Sequence, residues 1–210
     1  MASLGPKTVH DKITVYLGVT SVEEKKHSTS HDVSRIIIHP GWNKTLSFDH
    51  SGNDLALLEL KTPITEWSEK IQPVCLPDLD NLEVYDRLVR PKKTVEVFGL
   101  GVTRSSDYKG ADLIQHTKLK LLSKDQCENK TSITGDQHCA LGDNSNICAG
   151  DSGSGLVVQE DGGSYTLIGV ASTSAKRCGV KGNLSLSMTH AQFQLYIEYF
   201  NITKPMIMDE

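Results

Sequence analysis

Gly150-Asp151-Ser152-Gly153-Ser154-Gly155-Leu156 sets a serine inside a run of glycines, with a carboxylate before it and an apolar residue after. Glycine has no Cβ, so such a run lets the backbone turn sharply and bring its N–H groups close to a bound group. In such a turn the N–H groups of Gly150 and Ser152 can both point at one developing oxyanion, the arrangement that stabilises a tetrahedral intermediate of acyl transfer. A Gly/Ser-rich surface loop is the commoner fate of such a string taken alone. Two features raise it above that: the strand-like Leu156-Val157-Val158 follows, and Cys139 and Cys148 lie just upstream.

With 210 residues, 38% of them hydrophobic, and a mean hydropathy of −0.29, the chain can build a large all-β domain or two small ones. No apolar run reaches the length of a membrane span. A net charge of −4 leaves no footprint for nucleic acid, because Arg90-Pro91-Lys92-Lys93 is the only basic cluster and reads as a solvated turn. Five cysteines (Cys75, Cys127, Cys139, Cys148, Cys178) fall in no Cys-x-x-Cys spacing, so the sequence implies no metal site, and disulfides are their expected use. Asn43-Lys44-Thr45, Asn129-Lys130-Thr131, Asn183-Leu184-Ser185 and Asn201-Ile202-Thr203 are glycosylation sequons, which matter only in a secretory protein. The opening residues show neither the basic nor the apolar region of a signal peptide. Secreted character without a leader raises the expectation that the front of the protein is missing.

Alternating or continuous apolar runs predict strands at 13–19, 33–39, 53–60, 94–101, 117–122, 155–159, 165–172 and 184–188. The run Asn53 to Leu60 is the most continuously apolar of the first three and is expected to be more buried. Glu23 to His31 reads as a polar loop. Only the C-terminal stretch shows helical spacing, with Phe193, Tyr196, Ile197 and Phe200 on one face. Many short strands with one terminal helix argue for barrels or a sandwich. The Asp/Pro/Lys-rich residues 78–93 mark the expected boundary between a first part, 1–93, and a second, 94–210.

Taken together, Asn53-Asp54-Leu55-Ala56-Leu57-Leu58, Gln72-Pro73-Val74-Cys75-Leu76-Pro77, Phe98-Gly99-Leu100-Gly101 and Gly150-Asp151-Ser152-Gly153 resemble segments of the trypsin/chymotrypsin family of serine endopeptidases. The resemblance runs from about Ile13 to Phe200. It implies an all-β fold of two Greek-key antiparallel β-barrels with a C-terminal helix, the first barrel incomplete. One peptidase domain would then comprise a partial N-terminal barrel (1–93) and a C-terminal barrel with its helix (94–210). An incomplete first barrel leaves unpaired strand edges, so the isolated chain is expected to resist soluble, monomeric expression.

The same resemblance implies roles residue by residue. Ser152 would be the nucleophile and Asp54 the orienting acid, with Ser172 hydrogen-bonded to Asp54 and the oxyanion held by Gly150 and Ser152. Asp151 would pair with an amino terminus released by activation. Asn146, Ser172 and Ser174 would line the primary specificity pocket. An amide at 146 in place of a carboxylate argues against strong Arg/Lys preference, and Asp143, three residues earlier, is the alternative register. Disulfides Cys127–Cys139 and Cys148–Cys178 are implied, with Cys75 left without its usual partner ahead of the domain. No cofactor is implied; partners would be peptide or protein substrates and serpin-like or other inhibitors.

One part of the pattern is missing. The family's histidine lies in an Ala-Ala-His-Cys setting that this chain does not contain. His10 stands at about the expected spacing ahead of Asp54, but Lys7-Thr8-Val9-His10-Asp11 shares nothing with that setting. His31, His39 and His50 have less support still. The chain as written is therefore expected to be inactive: either an incomplete secreted serine endopeptidase or a non-catalytic homologue that uses the fold for binding.

Overall fold

Val, Ile and Leu at alternate positions bury one face of a strand, and this pattern is cleanest in the second half of the chain. The computed structural model describes residues 13–42, 52–77, 81–104, 106–107, 109–133, 137–174, 178 and 184–189. The first half forms an open antiparallel sheet in the order β1 (Thr14–Tyr16), β2 (Ser30–Ile38), β3 (Ala56–Leu60). The second forms a closed barrel of β4 (Thr94–Gly99), β5 (Gln115–Leu121), β6 (Gln137–Leu141), β7 (Gly155–Gln159), β8 (Tyr165–Ser174) and β9 (Leu184–Thr189). Its ring order is β4-β5-β6-β9-β8-β7, so β7 returns beside β4 as in a Greek key. The all-β fold of the trypsin/chymotrypsin type is thus present, with one barrel closed and the other represented by a sheet.

The barrel core is made by the inward positions of its strands: Val95, Leu119, Leu121, Leu156, Val158 and Ile168 are almost fully buried. On the other face of β4, Glu96 is only 7% exposed. Its two oxygens lie 2.6 Å from Nε2 of His116 and 3.2 Å from Nζ of Lys118, the pairing that lets a carboxylate sit out of water. The first sheet is thinner. Ile37, Leu55 and Pro77 are the buried apolar residues described before residue 78. β3 corrects the expectation of a buried strand: Leu58 is 45% exposed, because β3 is the edge of its sheet and no described layer covers that face.

Three short helices correct the reading that only the C-terminus is helical, and that C-terminal stretch lies outside the described residues. α1 (Val22–His27) replaces the expected loop. Ser21 Oγ accepts from the Glu24 N–H at 3.0 Å, and Glu24 reaches back to the Thr20 N–H at 2.7 Å. Acids in its first turn and bases in its last suit the helix dipole. α2 (Leu82–Val89) is capped by Asn81 and lays Val84, Leu88 and Val89 on the barrel core. α3 (Lys124–Glu128) opens with a reciprocal Ser123/Gln126 capping box. It holds Cys127 for its bridge to Cys139 on β6, with Cα atoms 5.8 Å apart. β6 itself was not expected as a strand, since Gln137-His138-Cys139-Ala140-Leu141 lacks β-branched residues. It exists because the bridge and five register pairs with β9 hold it there.

α2 meets β6 through Tyr85, whose Oη lies 3.4 Å from Nε2 of His138. Burial, with Asp86 nearby, pushes the Tyr85 phenol up to about 12, and burial holds His138 below the ordinary imidazole range. Below about pH 6.5 the unfolded chain therefore binds a proton that the folded chain refuses, so His138 makes folding less stable as pH falls through that value. Urea midpoints at pH 7.5 and 5.5 should fall more for the natural chain than for His138→Asn; equal losses would show that His138 does not drive the effect.

Candidate functional site

The loop from Cys148 to Ser154 is anchored at both ends of its carboxylate. Asp151 Oδ1 accepts from the Gly101 N–H at 2.8 Å, and Oδ2 accepts from the Cys148 N–H at 3.0 Å. Among the described residues no lysine, arginine or histidine pairs with Asp151. Room for this carboxylate is made by Gly99 and Gly101. A Cβ on Gly99 would lie 2.1 Å from Asp151 Oδ1, and one on Gly101 2.5 Å from the same atom. The acid borders a cavity of about 190 Å³ whose wall also includes Val97, His116 and Asn146.

Past Asp151 the loop docks on β8. The Gly153 N–H donates to Ala171 O at 2.8 Å, and the Ala171 N–H donates to Ser154 O at 2.8 Å. Gly150 and Gly153 have φ of +94° and +92°, a region where side chains are strained, and this is the local reason for glycine on both sides of the serine. Ser152 is exposed, and its Oγ donates to Ser172 O at 3.3 Å. Neither the Gly150 N–H nor the Ser152 N–H donates to another described residue, so both remain available to a ligand.

Asp54 arrives from the other sheet. Asn53 takes a left-handed φ of 62°, Leu55 N–H turns back to Asn53 O at 2.8 Å, and Leu55 packs against Val170 of β8. This carries the Asp54 carboxylate to β8, where Ser172 Oγ donates to its Oδ2 at 2.7 Å. The pairing of β8 with β9 shifts register between Ala171 and Thr173, leaving Ser172 as the extra residue of a bulge. A bulge re-aims a side chain that regular alternation would direct elsewhere. Sequence periodicity carried no sign of it.

Asn146 is buried, and its amide donates to Ile147 O at 3.0 Å, whereas Asp143 is exposed. Ser174 ends β8, paired in register with Ser185. Cys148 and Cys178 are bridged with Cα atoms 5.5 Å apart. Cys75 is a free thiol whose backbone is tied to β8 by bonds to Tyr165 O and from Leu167 N–H. His10 and His50 lie outside the described residues. His27 pairs with Glu23, His116 with Glu96 and His138 with Tyr85, while His39 Nδ1 accepts from the Gly41 N–H. None of these contacts is with Asp54 or Ser152.

The arrangement can hold a carboxylate and a serine hydroxyl against one strand, with two N–H donors beside the hydroxyl. Comparison with known proteins gives the lineage. A family model described as Trypsin matches residues 6–197. Urokinase-type plasminogen activator of Gallus gallus is 33% identical over 172 residues, covering 75% of this chain and 37% of that protein. Kallikrein-1 of Mus musculus is 32% identical over 184 residues, covering 81% and 64%. Vitamin K-dependent protein C of Mus musculus is 28% identical over 184 residues, covering 83% and 38%. The chain thus spans between 37% and 64% of the length of these relatives. With a family match running through both the sheet that delivers Asp54 and the barrel that carries Ser152, the chain belongs to the trypsin family of serine proteases.

Proposed function

We propose that this chain supplies the Asp54 and Ser152 portion of a secreted serine endopeptidase, which hydrolyses peptide bonds through an acyl-enzyme on Ser152. The observation that carries the reading is the link Asp54–Ser172–Ser152, at 2.7 and 3.3 Å, beside the unengaged N–H groups of Gly150 and Ser152. In this reaction Ser152 Oγ attacks the scissile carbonyl as an imidazole takes its proton, and the two N–H groups receive the oxyanion. Asp54 orients that imidazole, and Ser172 orients Asp54. Asp151 keeps the donors aimed by holding the loop, and an activated amino terminus would add a cation at its carboxylate. The two bridges and four sequons support an oxidising, secretory compartment.

No histidine of the sequence stands in an Ala-Ala-His-Cys setting, and this reading takes the imidazole from outside these 210 residues. Joining the chain to the upstream segment of its own transcript should give peptidase activity that Ser152→Ala and Asp54→Asn abolish. An upstream segment without a histidine, or activity indifferent to Ser152, would overturn the reading. A second reading, a non-catalytic homologue that binds peptides, is favoured by the engagement of His27, His116 and His138 elsewhere; a transcript with a complete leader and no such histidine would establish it.

Asn146 bears on preference. A buried amide offers no full charge to a guanidinium, so the completed enzyme should not favour Arg or Lys strongly at the cleaved bond. Asn146→Asp should raise the Arg/Lys preference by roughly 100-fold, about 3 kcal/mol from a desolvated charge pair. A positional-scanning peptide library reads both; dominant Arg/Lys cleavage by the natural sequence would contradict the assignment of residue 146.

A further inference from the structure

The geometry points to Asn129 as an N-glycosylated residue, carrying its sugar on the exposed face of α3. Of the four sequons in the sequence, Asn129-Lys130-Thr131 is the one whose residues all lie in the described structure. Asn129 is the C-cap of α3 and is exposed. Its backbone N–H is spent on Asp125 O at 3.0 Å, while its carboxamide makes no hydrogen bond to a described residue. Both later residues of the sequon turn back on α3, Lys130 and Thr131 each donating an N–H to Cys127 O, at 2.8 and 3.0 Å. The backbone is therefore fixed by its own turn, and the side chain is left to solvent.

A branched sugar needs an open surface, and α3 supplies one: Lys124, Asp125, Gln126, Glu128, Asn129 and Lys130 are exposed, while Cys127 turns inward to its bridge with Cys139 on β6. This inference rests on the secretory reading above, since the sugar is attached only in that compartment.

The test directs the full chain into the secretory lumen of a mammalian cell with a cleavable signal sequence, then treats it with a glycan-releasing amidase in isotopically heavy water. The peptide containing Asn129 should carry a marked aspartate. Asn129→Gln and Thr131→Ala should each remove the same single mobility step, and Thr131→Ser, which keeps the sequon, should retain it. If that peptide is unmarked while those with Asn43, Asn183 or Asn201 are marked, the inference fails and the secretory reading stands. If none is marked and Cys127 and Cys139 remain reduced, both fall; if none is marked but the bridge has formed, the inference alone is overturned.

Discussion

Incubation of the 210-residue chain with a fluorophosphonate probe should give no labelling above that of Ser152→Ala. A serine hydroxyl is a poor nucleophile near neutral pH, and the probe reports the activated hydroxyl rather than the residue. Asp54 and the two N–H donors do not take the place of a base. Asp54 is already an acceptor for Ser172, and Ser152 Oγ donates to a backbone carbonyl rather than to a proton acceptor that could take its hydrogen away. Loss of the histidine from such a unit lowers turnover by on the order of 10⁶-fold, so the expected signal is absence and not attenuation. Strong labelling that vanishes in Ser152→Ala would refute the prediction. It would then direct attention to His10 and His50, with His10→Ala and His50→Ala deciding between them.

Gly101→Ala should be strongly destabilising, lowering folding stability by about 3–5 kcal/mol. The added Cβ would lie 2.5, 2.6 and 2.7 Å from the three carboxylate atoms of Asp151, distances real Cβ atoms do not reach. Asp151 would have to leave, and with it the hydrogen bonds from Gly101 and Cys148 to a charged acceptor, each worth about 1.5–3 kcal/mol. Gly162→Ala is the control, because nothing lies within 4 Å of a Cβ there. Urea unfolding of both variants measures the effect. Shortening the acid provides a second check: in an Asp151→Ala background the cost of Gly101→Ala should shrink by several-fold, since the clash is with that side chain. Equal midpoints for Gly101→Ala and Gly162→Ala would show that Asp151 is not seated as described.

Several elements were unreadable from periodicity for identifiable reasons. α1 has no buried residue and so no apolar stripe, and its signal was the Ser21/Glu24 spacing of a cap rather than a period. α2 lay in a stretch whose composition suggested only a boundary, although Val84, Leu88 and Val89 share one face. β6 carries no strand-forming composition and depends on a cross-link and on partners distant in sequence. The exposure of β3 reverses the sequence expectation because continuous hydrophobicity reports what a strand is able to bury, while burial depends on what is packed over it.

The candidate positions could be named without coordinates. Ser152 in its glycine run is a local statement, whereas Asp54 and Asp151 were singled out by resemblance to a family. The barrel strands were legible for a related reason: alternation at Val95 and Val97, or Leu119 and Leu121, records a choice of face at each residue. Tertiary structure alone decided how those pieces meet. The bulge that leaves Ser172 facing Asp54, the two N–H groups that take up the Asp151 carboxylate, and the glycines that admit it join residues tens of positions apart. Register and close approach are properties of pairs of segments, and no single segment records them.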